Sequence, residues 1–206
     1  MPVLASPPAM PEHEANWKRR LRPGPAVLLG AAAAGVFLWR TLSWPAAASP
    51  DAWAYLAWGQ AVVRGDAPTY ELTSTTPKPL GVMLGALASP LPPERAFGIV
   101  VALALGVLVG ALFAAGRRRA GAVAGVVGVL AFLAVSMLSA VVAYALIDAV
   151  TTALVALAFA LRGRSRVAVL VLAGLGRPEA WLLAGVAGFS ETAGRWWRRL
   201  VAAAAA

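Results

Sequence analysis

Long apolar runs, separated by short clusters of arginine, make up most of this chain. Residues 25–44 and 96–115 each have about the ~20 apolar residues that one helix needs to cross ~30 Å of hydrocarbon. The run 120–161 is about twice that length, which predicts two spans joined by a tight turn near Ser136–Tyr144. The periodicity and length of these runs indicate helices and no β-sheet domain, since lipid does not tolerate unpaired backbone groups.

The last apolar run, residues 167–189, is interrupted by Gly176, Arg177, Pro178 and Glu179. We interpret it as a hairpin whose arms, of about 10 residues each, reach roughly halfway across the bilayer. A single span is the alternative, and it would bury Arg177 and Glu179 near the midplane. The pattern as a whole predicts an all-α, polytopic membrane protein with about four full spans plus a broken span or hairpin.

A polar interlude between the first two apolar runs divides the chain into five regions. A signal peptide cleaved at Ala46–Ala48 is an alternative to the first transmembrane helix, because a basic and then an apolar segment precedes these small residues. Arg40 and Trp44, however, interrupt the segment before this site. The predicted regions are a cytoplasmic polar leader (1–24), a first transmembrane helix (25–44), an external loop with interfacial helices (45–95), a transmembrane helical bundle (96–190) and a basic, alanine-rich tail (191–206).

The positive charge follows this division. Thirteen of the eighteen basic residues lie in four clusters, at 18–22, 117–119, 162–166 and 195–199. Placing all four in the cytoplasm satisfies the positive-inside rule, so we expect an integral protein of a bacterial plasma membrane with a cytoplasmic N-terminus. The net charge of +9 is therefore an orientation signal, and we expect no nucleic-acid partner.

The amino-acid composition limits the class of protein and the kinds of catalytic or metal site that the chain can have. Hydrophobic residues make up 60% of the chain and the mean hydropathy is +0.74, which is typical of a membrane protein. The absence of cysteine excludes disulfides, thiolate nucleophiles and Cys-ligated metals. The single histidine, His13, lies in the polar leader, which argues against imidazole catalysis.

The external loop begins with a strong helix signal. Ser49 can cap a helix, Pro50 suits the first turn, and Asp51 complements the positive end of the helix dipole. The predicted helix runs from Ala52 to about Arg64 along the membrane surface, with Trp53, Leu56, Ala57 and Val62 on or near one face. A second apolar stretch, Val82–Leu91, is too short to span.

The order of these elements resembles the N-terminal module of the polytopic GT-C glycosyltransferases, in particular the protein O-mannosyltransferase and aminoarabinose-transferase-like group. Lys78 stands where that family usually has histidine, and the chain has a single acid at Asp51 where the family has an acidic pair. The elements that carry the resemblance are Asp51 with Tyr55, the stretch Thr76–Gly81, Arg95, the pair Ile147 and Asp148, and the glycine-rich break Gly174–Glu179.

The resemblance implies a membrane enzyme that transfers a sugar from a polyprenyl-phosphate donor on the external face. Its partners would be membrane lipids and the lipid-linked donor. Whether the site also binds a divalent metal is left open. Because the chain is less than half as long as a typical family member, a missing C-terminal half of the same protein is a further expected partner. The implied catalytic residues are Asp51 and Asp148, and the implied substrate-binding residues are Tyr55, Lys78, Arg95, Arg177 and Glu179.

Physical chemistry supports the same residues, because sugar transfer needs a carboxylate to deprotonate the acceptor and cations to neutralise the leaving phosphate. Each residue also has a structural interpretation. Asp51 can simply start a helix, Asp148 can be a wet polar group at an external turn, and Arg177 can pair with Glu179. Two other functions are open: a transporter or flippase-like subunit, and a non-catalytic membrane scaffold fragment.

The topology gives the first prediction. Reporter fusions after Arg119 and Arg166 should report the cytoplasm, and fusions between Gly65 and Lys78 should report the external side, because the arginine clusters fix the orientation. Alkaline phosphatase and green fluorescent protein fusions measure this directly. The reverse pattern would place the polar loop on the wrong face for a polyprenyl-phosphate donor.

Overall fold

The computed structural model describes residues 24–44, 49–68, 78–134, 138, 141 and 148–190, and its regular elements are all α-helices. The all-α prediction is thus confirmed for this part of the chain. The helices are α1 (Pro25–Ser43), α2 (Pro50–Arg64), α3 (Pro79–Ala88), α4 (Pro93–Leu133), α5 (Asp148–Ala160), α6 (Arg164–Gly174) and α7 (179–190).

Two of these helices are long and apolar enough to cross a membrane: α1 and the Arg95–Leu133 part of α4. The apolar helices α3 and α5 have only 10 and 13 residues. The predicted count of about four full spans therefore stays a prediction. The predicted turn near Ser136–Tyr144 lies outside the described residues, apart from 138 and 141, as do the leader, the Ala46–Ala48 stretch and the C-terminal tail.

Helix α4 consists of two antiparallel arms. The backbone leaves helical geometry at Ala120 and at Gly121, where φ is 87°, a left-handed value that favours glycine. The arms then lie so close that a Cβ on Gly125 would approach the carbonyl oxygen of Phe113 to 2.8 Å. The chain therefore reverses directly after the arginine cluster 117–119. The spacing of Gly121 and Gly125 suggests a helix-packing motif, but this interpretation is wrong for Gly121, which makes the turn.

Small residues hold α1 against the first arm of α4. A Cβ on Gly30 would lie 2.9 Å from the carbonyl oxygen of Gly106, and one on Gly110 would lie 2.8 Å from that of Ala26. Only glycine allows such close approach of two helix backbones. The spacing of Gly106 and Gly110 in the sequence is that of a GxxxG motif, and here it serves helix packing. The rest of α1 exposes large apolar side chains, including Val27 and Val36.

Helices α2 and α3 pack against each other over their glycines. The predicted start of α2 is confirmed, because Ser49 Oγ accepts a hydrogen bond from Ala52 N at 3.2 Å. A Cβ on Gly59 would overlap the backbone of Gly85 and Ala86. The two helices therefore touch backbone to backbone.

The residues predicted for one apolar face of α2 differ in burial, and their contact with the membrane surface stays a prediction. Leu56 is buried, whereas Trp53, Ala57 and Val62 are exposed. The physical reason is the contact with α3, which selects the side of α2 that carries Gly59 and buries Leu56 with it. The buried residues of α2 are Ala52, Ala54, Tyr55, Leu56, Trp58 and Gly59.

Helices α6 and α7 form the predicted hairpin. The Nε1 of Trp181 donates a hydrogen bond to Val171 O at 3.3 Å, and Ala184 packs in one buried cluster with Leu170. Contacts between residues 171 and 181 and between 170 and 184 require antiparallel arms. The backbone N–H of Leu80 donates to Leu175 O at 3.1 Å, which fixes the hairpin tip at the start of α3.

The backbone contact between α2 and α3 gives the second prediction. Gly59→Ala should lower the stability of the folded protein by about 1–3 kcal/mol, because the added methyl group has no room and the helices must separate. A thermal unfolding curve of the detergent-solubilised chain measures the loss. Gly35→Ala is the matched control, since a Cβ there meets nothing within 4 Å. An equal or smaller loss for Gly59→Ala would contradict the packing.

Candidate functional site

The N-terminal ends of two helices meet at one carboxylate. Lys78 immediately precedes α3, Arg177 lies in the turn before α7, and the carboxylate belongs to Asp148, the first described residue of α5. The Nζ of Lys78 donates to Asp148 Oδ1 at 3.2 Å. The guanidinium of Arg177 binds the same carboxylate in a bidentate manner, from Nε to Oδ1 at 3.0 Å and from Nη2 to Oδ2 at 2.6 Å.

This ion triad, Lys78, Asp148 and Arg177, is half-buried. The side chain of Asp148 is 44% exposed, and it precedes the apolar part of α5. The hydrogen bonds from Arg177, and then those from Lys78, hold the pKa of the Asp148 carboxyl below its ordinary value against the opposing effect of burial. The same carboxylate raises the pKa of Arg177. Asp148 therefore stays ionised and is a weak proton acceptor.

Tyr55 lies fully buried beneath the triad. Its ring packs edge-on against Trp58, with centroids 5.6 Å apart, and beside Phe97 at 6.5 Å. The backbone of Lys78 hydrogen-bonds its hydroxyl, yet burial and the negative charges of Asp51 and Asp148 raise the pKa of Tyr55 to about 12. The phenol thus stays protonated and supports the backbone of Lys78 from below.

Two glycines let the surrounding helices reach this arrangement. A Cβ on Gly81 would come within 2.6 Å of the Tyr55 ring. A Cβ on Gly176 would overlap Thr151 Oγ1 and lie 3.0 Å from Leu80. The turn that carries Arg177 is therefore pressed directly onto α3 and α5, which sets the position of the guanidinium.

The structure brings some of the predicted site residues together and leaves others apart. Lys78, Asp148 and Arg177 meet directly, and the charge of Asp51 reaches the Tyr55 hydroxyl. Arg95 does not join the triad: its Nε is buried without a hydrogen-bond partner among the described residues. The predicted participation of Arg95 as a phosphate contact has no geometric support here.

Arg177 pairs with Asp148, and not with Glu179 as the structural interpretation of the sequence had it. Arg177 is hydrogen-bonded to Asp148, and Glu179 acts on it only through its charge. Sequence reasoning assigned no role in locking the turn to Leu80, Thr151 or Gly176. Of these, Gly176 carried a signal, as the glycine that precedes Arg177 and Pro178 in the break of the last apolar run.

An apolar groove of about 350 Å³ lies along the same helices. It runs between α3, the first arm of α4 and α5, and it begins with Val150, two residues after Asp148. Its walls include Leu84, Leu87, Leu91, Leu103, Val107 and Leu154. Within the described ranges, no three His, Cys, Asp or Glu side chains converge in a way that could hold a metal ion.

Comparison of the chain with protein-family models, with curated proteins and with solved structures finds no match. The geometry of the triad, of Tyr55 and of the groove is therefore the basis for any functional assignment.

The bidentate contact gives the third prediction. In a double-mutant cycle of Asp148→Asn with Arg177→Gln, the coupling free energy should be about 1 kcal/mol or more, because charge-assisted, half-buried hydrogen bonds exceed exposed pairs. Chemical denaturation measures it. The matched control is the Arg–Asp pair Arg64 and Asp66, which makes a single contact at 3.2 Å and is more than 60% exposed on both sides. A coupling equal to that of the control would contradict the structural role of the triad.

The same pair has a pH dependence. Because the folded-state pKa of Asp148 lies below its ordinary value of 3.8, the ion pair stabilises the fold above that pH and is lost as the pH falls through the folded pKa. The stability difference between the natural chain and Asp148→Asn should therefore shrink below about pH 4. A difference that grows on acidification would refute the assignment of Asp148 as the ionised partner.

Proposed function

We propose that the chain is an integral membrane glycosyltransferase, or the N-terminal part of one, that transfers a sugar from a polyprenyl-phosphate donor on the external face. One observation carries the proposal: Lys78, at the start of α3, and Arg177, just before α7, meet at the carboxylate of Asp148. Helix N-termini and cations together attract a phosphate group. The resemblance to the GT-C family supplies the reaction class.

The triad leaves donors for a phosphate. Lys78 has three N–H donors and Arg177 has five, and the contacts to Asp148 occupy only part of them. One carboxylate shared by two cations leaves the triad with one positive charge. In this proposal Asp148 positions the two cations, and they bind the phosphate of the donor and then of the leaving polyprenyl phosphate.

Asp51 is the proposed general base. It starts α2 one turn before Tyr55, and its charge acts on the Tyr55 hydroxyl. In the transfer step, Asp51 takes the proton of the acceptor hydroxyl as that oxygen bonds to the anomeric carbon. The bond between this carbon and the phosphate oxygen breaks, and the polyprenyl phosphate keeps the electron pair. Asp148 is less suited to this role, because Arg177 and Lys78 lower its pKa.

The apolar groove fits the isoprenoid part of such a donor. Leucine and valine side chains line it, and it shares α3 and α5 with the triad. A lipid whose phosphate lies at Lys78 and Arg177 can therefore place its chain along the same helices. The exposed apolar side chains of α1 would face bilayer lipid, with the N-terminus in the cytoplasm.

A scaffold fragment without chemistry predicts no convergence of acids and Arg177, and the contact between Asp148 and Arg177 argues against it. A transporter or flippase-like subunit is distinguished by its product, since it would move the lipid-linked sugar without breaking the glycosyl–phosphate bond. The roles of Tyr55 and Glu179 in substrate binding stay predictions, with Tyr55 acting through Lys78.

The fourth prediction tests the phosphate contacts. Undecaprenyl phosphate, added to the full chain in detergent, should quench tryptophan fluorescence, and Lys78→Gln should weaken its binding about ten-fold through loss of one charge-assisted contact. Arg64→Gln is the matched control, since this exposed arginine of the same loop pairs with Asp66 among the described residues. Equal affinities of the two variants would overturn the assignment of Lys78.

The base is tested separately. In proteoliposomes with a polyprenyl-phosphate-linked radiolabelled sugar, Asp51→Asn should abolish transfer while undecaprenyl phosphate still binds, because the substitution keeps the shape and removes the base. Asp66→Asn, in the same loop, should leave transfer unchanged. Normal transfer by Asp51→Asn would refute the role of Asp51, and label that crosses the membrane still attached to its lipid would favour the flippase.

A further inference from the structure

A second cavity lies at the opposite end of the helices from the ion triad. Its volume is about 220 Å³, and α5, α6, α7 and the end of the first arm of α4 enclose it. The residues that define it are Arg119, Phe159, Arg166, Leu170, Leu183 and Val186. Its lining is thus two guanidinium groups above aromatic and aliphatic side chains.

Arginines already satisfy the backbone at this end of α5. Arg166 donates from Nε to Ala158 O at 3.3 Å and from Nη2 to Leu161 O at 3.1 Å. Arg118 donates to Ala160 O. These contacts supply partners for the last carbonyl groups of α5, which otherwise have none within the helix. Because a guanidinium has five N–H donors, Arg166 keeps donors for a ligand in the cavity.

Arg119 has a different environment. Its guanidinium lies over the ring of Phe159, 5.7 Å from the ring centroid, in an arrangement where the cation is held by the aromatic face. This contact orients Arg119 toward the cavity without neutralising its charge. The site therefore has a fixed, charged donor group next to an apolar wall.

Arginines predominate in the segments that form the cavity. Six arginines lie in the clusters 117–119 and 162–166, and the stretches 96–147 and 149–178 contain no aspartate or glutamate, whereas Glu191 follows the lining residue Ser190 in sequence. The cavity walls open onto exposed apolar side chains, with Val186 69% and Phe159 50% exposed. An anion with an attached apolar chain matches both properties, whereas a soluble anion would leave the apolar surface uncovered.

We propose that this cavity binds the phosphate headgroup of an anionic phospholipid, with Arg119 and Arg166 contacting the phosphate and Leu183 and Val186 contacting its acyl chain. The inference rests on the membrane location in the proposed function but not on glycosyl transfer. Basic pockets between helices at the cytoplasmic end of a membrane protein are suited to such headgroups. The cavity is smaller than a pocket for a whole drug-sized ligand, which fits a headgroup whose chain lies outside.

Native mass spectrometry of the full chain in detergent tests this. Dioleoyl phosphatidylglycerol should bind at least about ten-fold more tightly than dioleoyl phosphatidylcholine, and Arg119→Gln should remove most of that preference, as expected for loss of a charge-assisted phosphate contact. Arg117→Gln is the matched control, because it belongs to the same cluster but does not line the cavity. It should change the affinity by less than about two-fold, since exposed charges contribute little.

A second variant tests the cavity without removing charge. Val186→Trp places a large side chain at the exposed wall and should weaken phosphatidylglycerol binding while the arginines stay in place. Equal affinity for the two lipids, or equal losses in Arg119→Gln and Arg117→Gln, would overturn the proposal. Glycerol phosphate competing at the affinity of the lipid would show a site for soluble phosphate and would overturn it too. Undecaprenyl phosphate binding at Lys78 should persist in Arg119→Gln. The test of this cavity can therefore fail without affecting the test of the proposed function.

Discussion

Asp148 joins α5 to the starts of α3 and α7, because its carboxylate accepts hydrogen bonds from Lys78 and from Arg177. Neither cation is close to Asp148 in sequence, so the contact fixes the tertiary position of α3 and of the hairpin formed by α6 and α7. The two cations in turn stabilise an ionised carboxylate in half-buried surroundings. Removing Asp148 would leave two cations facing each other beside the positive N-terminal ends of α3 and α7.

The contact is reached only because the backbones around it approach so closely. Gly59 and Gly85 let α2 lie on α3, Gly81 makes room for the Tyr55 ring, and Gly176 lets the Arg177 turn press against Thr151. Tyr55 then holds Lys78 by its backbone. The glycines thus allow the close helix contacts that position the triad, while the charges of the triad determine which ligands the site can bind.

Much of this could be predicted from the sequence, and the parts that could not share a cause. The helix start at Ser49, the all-α class and the hairpin at Arg177 follow from local signals: caps, apolar length and a Gly-Arg-Pro break. The reversal after the cluster 117–119 follows too, because basic residues separate two apolar runs there. The buried face of α2 does not, because the contact with α3 selects it. Likewise, Lys78, Asp148 and Arg177 each stand out in the sequence as charges next to apolar runs, but their mutual pairing depends on the tertiary fold.

Helix lengths relate the two charged ends of the molecule. Helix α5 has 13 residues and so measures only about 20 Å between the ion triad and the arginines that cap its C-terminal end, whereas the first arm of α4, residues 93–119, extends over about 40 Å. Arg119 lies over Phe159, near the end of α5, whereas Phe97, near the start of α4, contacts the ring of Tyr55 beneath the triad. The two charged sites therefore lie at opposite ends of α5 and of the first arm of α4. Pairing both cations with Asp148 stabilises them in their half-buried surroundings when no anion is bound.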